Sequence, residues 1–103
     1  MIELDDMKMQ SFDGTVLAGH KENAVEVPFD PGALWGLTPV QIRPGRRGYA
    51  VIGEVNGYRF ESHVVARSKK FWLLLPAGVV AGAKVGVGQT VTVKLQPKNA
   101  QGT

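Results

Sequence analysis

YAVIGEVNGYRFESHVVA, residues 49–66, consists of two runs of strand-forming residues divided by the pair Asn56-Gly57. An Asn-Gly pair adopts the left-handed dihedral angles of a type I′ turn at little cost, so it predicts a two-residue β-hairpin. The turn also predicts the register, in which Val55 faces Tyr58 and the pairs continue outward in order. It is the strongest local pattern in the chain.

Alternation along the two strands divides their side chains between two faces of the hairpin. One face is predicted to lie in the core and the other to meet solvent. The core-facing residues are Tyr49, Val51, Val55, Tyr58, Phe60 and Val64. The solvent-facing residues are Glu54, Arg59, Glu61 and His63.

Short strands are also predicted before the hairpin. Residues 8–18 alternate loosely, with a β-bulge expected at Asp13-Gly14. Residues 24–28 form a second strand, which its final proline ends because proline cannot donate to a ladder. Residues 37–43 have room for a further short strand.

Two more strands are predicted after the hairpin. Residues 71–75 are apolar at every position, which is typical of a strand covered on both faces. Residues 90–95 alternate cleanly between polar and apolar. From Pro97 onward, over residues 97–103, the chain is expected to be a frayed tail.

Two short helices complete the pattern. Asp30-Pro31 predicts an N-cap followed by proline at the first helical position, opening a helix that runs through Trp35 and ends near Gly36. Pro76 begins the second helix, residues 77–84. Both units place a proline and a glycine-bounded helix after a strand, as in VEVPFDPGALWG and LLLPAGVVAG.

These elements predict a mainly β fold. A chain of 103 residues with 13 glycines and 6 prolines suits one domain of short strands, residues 1–103, with an ordered core at about residues 8–96. The repeated strand–proline–helix unit indicates a barrel with a duplicated core. We therefore predict a small closed or split β-barrel of six to seven strands with two short helices.

Composition excludes several classes of function. The chain has no cysteine, which excludes disulfides, thiolate metal sites and a cysteine nucleophile. The acidic N-terminus lacks the features of a secretory signal, and Pro76 interrupts the longest apolar run. We expect a cytoplasmic protein with no membrane partner.

Charge is distributed unevenly along the chain. Residues 1–30 carry seven acids against two lysines, a net −5, whereas residues 31–103 carry ten basic residues against two acids, a net +8. Such asymmetry can mark an anionic partner for the basic part. It can also cancel in the fold, because strands distant in sequence often pair.

Several of these segments together resemble the domain of unknown function 1905 family. They are the short VP strand with its helix, GRRGYAVIGEVNGYRF, FWLLLPAGV and GVGQTVTVKL. The resemblance extends from about Lys8 to Leu95. The sequence departs from it at Gln89, where family members tend to have aspartate, and at Lys69-Lys70, where many have a glycine-bearing turn.

The resemblance implies a six- to seven-stranded barrel, similar to the double-split barrels of bacterial transition-state regulators and antitoxins. Some relatives carry this domain fused to a segment associated with bacteriocin protection, and no such segment is recognisable in this chain. The family brings no agreed activity.

The leading candidate site is the glycine-flanked loop Gly45-Arg46-Arg47-Gly48. Glycines would let the backbone approach a phosphate or carboxylate while a guanidinium binds it in a bidentate manner. Further basic residues are expected at nearby strand ends, giving a basic rim of Arg43, Arg46, Arg47, Arg67 and Lys70. The alternative is a solvated turn whose charges aid solubility.

Catalytic and metal chemistry find little support. Ser62 and His63 point to opposite faces of their strand, so this serine cannot be activated by this histidine. Glu61 and His63 share a face and could form an acid–base pair, although an exposed polar cluster with Glu54 and Arg59 explains them as well. No cofactor or metal site is expected.

The tryptophans Trp35 and Trp72 are predicted to be core or helix-packing residues. A pocket, if the barrel has one, is expected where the short helices cap it. The chain is thus interpreted as a non-enzymatic binding module for a small anionic molecule or a protein, as a monomer or homodimer. The second hypothesis is a DNA-binding barrel of the regulator or antitoxin type, and the third is a hydrolase-like enzyme.

Overall fold

A computed structural model describes residues 9–19 and 22–98, without the side chain of Arg43. The strands are β1 Gln10–Ala18, β2 Asn23–Val27, β3 Val40–Arg43, β4 Arg46–Val55, β5 Tyr58–Arg67, β6 Lys70–Leu75 and β7 Thr90–Pro97. The helices are α1, Pro31–Trp35, and α2, Ala77–Ala83.

Six strands close into an antiparallel barrel. Their order is β4-β5-β6-β2-β1-β7, and β7 pairs back onto β4. The remaining strand, β3, pairs with β4 beside the barrel. The prediction of a mainly β barrel of six to seven strands with two short helices is therefore confirmed, in its closed form.

The β4–β5 hairpin has the predicted register at every pair from Val55 with Tyr58 outward. Asn56 has a φ of 48° and Gly57 a φ of 90°, so both lie in the left-handed region that a type I′ turn requires. A one-residue slip would move every buried side chain to the solvent face, so this turn determines which residues enter the core.

The predicted core face of the hairpin is buried with one exception. Its fully or largely buried members are Val51, Val55, Phe60 and Val64, and Tyr49 packs partly buried against the same core. Tyr58 remains 39% exposed, so its assignment to the core is wrong. It follows the turn at the end of the barrel, where its ring lies against Gly82 of α2.

The barrel interior is filled by apolar side chains, mostly aliphatic, from all six barrel strands, from α2 and from Val85, which follows that helix. The buried cluster comprises Val16, Val25, Val27, Val51, Val55, Phe60, Val64, Leu73, Leu75, Val79, Val85, Val91, Val93 and Leu95. A barrel this narrow is closed by its own side chains.

The two helices pack close to the barrel. The carboxylate of Asp30 accepts a hydrogen bond of 2.9 Å from Gly32 N–H, and α1 ends at Gly36 with a φ of 71°. This is the predicted cap pattern. Phe29 contacts Trp35 edge to face with ring centroids 5.2 Å apart, which ties α1 to the core. Among the described residues, no helix is long and apolar enough to cross a membrane.

The bulge predicted at Asp13-Gly14 is wrong. The pairing of β1 with β7 continues through both residues without a shift. A Cβ atom on Gly14 would lie 2.5 Å from Cγ1 of Val25. The glycine is therefore required by the close approach of a core side chain, which the sequence pattern alone does not distinguish from a bulge.

The last strand extends further than predicted. β7 extends to Pro97, which is buried and pairs opposite Val51 of β4. The N–H of Lys98 then donates to Ala50 O at 3.1 Å. Proline is tolerated because it is the last residue of its strand. The frayed-tail prediction is wrong for residues 97–98, and residues 99–103 lie outside the described part of the chain.

Candidate ligand-binding site

Two neighbouring cavities lie on the outer side of the barrel. The first encloses about 170 Å³ and the second about 300 Å³. Glu22, Arg46 and Leu74 line both of them, so the cavities meet at these residues. Together the two volumes fall within the range of about 300–1,000 Å³ that is usual for small-molecule sites.

The first cavity has an apolar wall that follows from strand alternation. Leu73 and Leu75 of β6 point into the barrel, so Trp72 and Leu74 point outward. Val65, on the outer face of β5, is buried at the same wall. The other lining residues are Leu17, Ala18, Gly19, Glu22, Ala24, Arg46, Arg67 and Ser68.

Trp72 does not have the role predicted for it. It lies half-buried in the wall of the first cavity, where its indole N–H donates to Arg67 O at 3.3 Å. Trp35, by contrast, packs against the core as predicted. The pocket was predicted where the short helices cap the barrel, and these two cavities do not lie there. None of their lining residues belongs to α1 or α2, and only Pro76 adjoins a helix.

The second cavity is more polar than the first. Its lining residues are Glu22, Ile42, Arg46, Ala50, Glu61, Ser62, His63, Leu74, Pro76 and Lys98. Glu61 and Lys98 form an ion pair of 2.9 Å. Burial lowers the pKa of His63 below its ordinary value of 6.5, the positive charge of Lys98 lowers it further, and Glu22 partly opposes both effects. Burial and Lys98 thus favour the neutral form of His63.

Arg46 stands at the junction of the two cavities. Its side chain is half-buried, and its Nη1 atom is fully buried with no hydrogen-bond partner among the described residues. A guanidinium carries five N–H donors, and a buried donor left unpaired costs about 1–3 kcal/mol. Because Arg46 lines both cavities, an anionic oxygen placed in either of them could bind its guanidinium.

The predicted loop Gly45-Arg46-Arg47-Gly48 is instead the start of a strand. The turn is at Gly45, with a φ of 81°, and β4 begins at Arg46. Neighbouring strand residues point to opposite sides, so Arg46 lines the cavities while Arg47 is exposed. The two arginines do not grip one anion together. A Cβ atom on Gly48 would lie 2.9 Å from Val64 O, so that glycine serves packing.

The other predicted rim residues are divided. Arg67 lines the first cavity with Arg46. Lys70 forms an exposed ion pair of 3.8 Å with Glu26, a residue of the acidic first part of the chain, and lines neither cavity. Arg43 pairs with Arg46 along the backbone. Of the four predicted residues whose side chains the structure describes, Arg46 and Arg67 lie at the cavities.

Sequence reasoning missed Trp72 and Glu22. The sequence signal for Trp72 was present, because an apolar run with alternate residues inside the barrel must expose the others to a second layer or a ligand. Glu22 carried no such signal, because its place beside Arg46 depends on the long-range pairing that sets β2 beside β6.

The predicted polar surface of the hairpin is arranged differently from expectation. The Ser62 hydroxyl donates to Leu74 O at 2.7 Å, and Glu61 binds Lys98. Glu54 and Arg59 face each other in register, yet within residues 9–19 and 22–98 no ion pair joins them. The same residues contain no group of three histidines or carboxylates able to hold a metal ion.

Comparison with known proteins identifies a family for the chain. The family model for domain of unknown function 1905 (DUF1905) matches residues 12–95. No curated protein matches the chain. The matched region begins at Phe12 of β1, ends at Leu95 of β7, and includes Arg46 and Trp72. The chain therefore belongs to the DUF1905 family, as the resemblance of its hairpin and closing strand implied.

Proposed function

We propose that this domain is a non-enzymatic module that binds a small ligand with an anionic group and an apolar body. The observation that carries the proposal is the Arg46 side chain, which lines both cavities and whose Nη1 atom is buried without a hydrogen-bond partner among the described residues. In a folded domain such a donor is an exception, since buried polar groups are normally hydrogen-bonded.

The surroundings of Arg46 define the two parts of the ligand. A guanidinium binds carboxylate or phosphate oxygens in a bidentate manner, and Arg67 adds a second positive charge at the first cavity. Trp72, Leu74 and Val65 provide an apolar wall beside these charges. Ligand sites of this kind combine mostly apolar walls with a few polar groups that fix orientation.

The proposal is tested by titrating the domain with 3-phenylpropanoate and, separately, with inorganic phosphate. Binding is followed in ¹⁵N–¹H correlation spectra, in which the indole N–H of Trp72 reports on the cavity and that of Trp35 serves as an internal control. We expect 3-phenylpropanoate to shift the Trp72 signal and to leave the Trp35 signal in place.

Two neighbouring arginines provide matched variants. Arg46→Gln is expected to weaken binding at least tenfold, which corresponds to about 1.4 kcal/mol. Arg47→Gln removes an equal charge one residue away on the opposite side of the strand, so its affinity is expected to match that of the wild type. Equal losses in both variants, or no binding by the wild type, would contradict the proposal.

A DNA-binding barrel is the alternative hypothesis, and the positions of two of the three aromatic residues of the hairpin count against it. Phe60 is buried and Tyr49 packs on the core, so neither is available to stack on bases, whereas Tyr58 is exposed. Binding of random duplex DNA that weakens steeply with salt and with Arg47→Gln would favour this alternative. A dimeric mass in size-exclusion chromatography would support it further. Under both hypotheses we expect the protein to be cytoplasmic.

A further inference from the structure

Two opposite charges border both cavities at their junction. Arg46 and Glu22 are the charged side chains common to the two linings. No ion pair joins them within the described part of the chain, although each borders the same space. A ligand placed there meets a cation and an anion at once.

The other charges of the second cavity are already accounted for. Glu61 is paired with Lys98 at 2.9 Å, and the surroundings of His63 favour its neutral form. Glu22 has no ion-pair partner among residues 9–19 and 22–98, so its carboxylate is available to a ligand cation. Arg46 likewise has no ion-pair partner among these residues and lines both cavities, so its guanidinium is available to a ligand anion.

The adjoining apolar space has the size of one aromatic ring. The first cavity encloses about 170 Å³, and an apolar cavity of about 150 Å³ is enough to hold benzene. Trp72 offers a ring face or edge for contact with an aromatic group, an arrangement that adds about 0.5–1.5 kcal/mol beyond burial.

Resting on the proposed function, we infer that the ligand is a free α-amino acid with an apolar or aromatic side chain. Its carboxylate binds Arg46, its ammonium group binds Glu22, and its side chain enters the first cavity against Trp72. An α-amino acid carries both charges and the side chain on a single carbon, which matches a junction where both charges border one apolar cavity.

Three compounds that share a phenyl group separate these contacts. L-phenylalanine carries both charges, 3-phenylpropanoate keeps the carboxylate alone, and 2-phenylethylamine keeps the ammonium group alone. Dissociation constants are measured by calorimetry and by the shift of the Trp72 indole signal. We expect L-phenylalanine to bind about tenfold more tightly than 3-phenylpropanoate, and 2-phenylethylamine to bind most weakly because Arg46 repels it.

A variant of Glu22 tests the role assigned to that carboxylate. Glu22→Gln keeps the size of the side chain and removes its charge. It is expected to abolish the preference for L-phenylalanine while leaving the affinity for 3-phenylpropanoate unchanged or slightly improved. Weaker binding of D-phenylalanine than of the L form is also expected, since three contacts at one carbon distinguish enantiomers.

The possible results separate this inference from the function on which it rests. If 3-phenylpropanoate binds as tightly as L-phenylalanine, the inference is wrong and the proposed anion-binding function stands. If the preference for L-phenylalanine survives in Glu22→Gln, the ammonium contact has been assigned to the wrong group. If none of the three compounds binds, both the inference and the proposed function fail.

Discussion

Replacing Arg46 with methionine is expected to make the domain more stable while removing its proposed ligand contact. The buried Nη1 atom has no hydrogen-bond partner among the described residues, and an unpaired buried donor costs about 1–3 kcal/mol. Methionine keeps much of the apolar stem of the arginine side chain, so most of the packing of that stem is retained. Allowing for lost contacts of the guanidinium, we expect a net gain of about 1 kcal/mol.

The assay is urea unfolding followed by circular dichroism, with a thermal melt as a second measure. A gain of about 1 kcal/mol corresponds to a rise of about 4–8 °C in Tm for a domain of this size. Arg47→Met is the control. Arg47 is exposed, and surface substitutions usually change stability by less than about 0.5 kcal/mol.

The opposite result would refute the reasoning. If Arg46→Met lowers the free energy of unfolding by more than about 1 kcal/mol while Arg47→Met does not, the guanidinium stabilises the fold. Arg46 would then be a structural residue with satisfied donors, and the argument for a ligand at the junction would lose its main support. A gain in stability together with lost binding is instead typical of a residue retained for function.

Three further predictions concern the stability of the domain and involve residues of β4, α2 and β5. Gly48→Ala is expected to destabilise the domain by about 1–3 kcal/mol in urea unfolding, because its Cβ would lie 2.9 Å from the backbone oxygen of Val64, which cannot easily move. Gly78→Ala, in α2 and facing open space, is expected to stabilise by about 0.4–1 kcal/mol, and a loss would contradict the helical assignment. His63 has a pKa lowered first by burial and then by Lys98, so the unfolded state binds the proton more tightly. Its contribution to stability is full above pH 6.5 and decreases as pH falls through 6.5 toward the native pKa. His63→Gln is expected to reduce the pH dependence of the free energy of unfolding in this range. An unchanged slope would show that other groups cause this dependence.

The hairpin could be predicted in detail because its information is local. Asn56-Gly57 sets the turn, the turn sets the register, and the register sets the buried face, so every predicted pair from Val55 with Tyr58 outward is present. Helix α1 could also be predicted, because its N-cap Asp30 directly precedes it in the sequence. Barrel closure between β4 and β7 is a long-range pairing that no local pattern encodes. The sequence predicted a barrel only as a fold class and did not indicate which strands close it.

The site could be predicted only in part because its residues come from distant strands. Arg46 was identified from its charge and its glycine neighbour, yet its burial depends on where β4 begins and on what lies beside it. The loop interpretation joined Arg46 to Arg47, and strand alternation separates them. Trp72 was assigned to the core by composition, although its own strand places Leu73 inside and therefore Trp72 outside.

The filled barrel explains why a ligand site in this domain would lie outside it. Val and Leu side chains occupy the interior, so an interior cavity for a ligand would require removing part of the core. The outer face becomes concave where Ile42 of β3 and Arg46 of β4 stand beside outward residues of β5 and β6. Since most of these walls belong to barrel strands and to β3, which pairs with β4, we expect the site to be formed before the ligand arrives and binding to require little ordering of the chain. Ligand-induced changes are therefore expected to stay with the residues that line the two cavities and to leave the barrel register untouched.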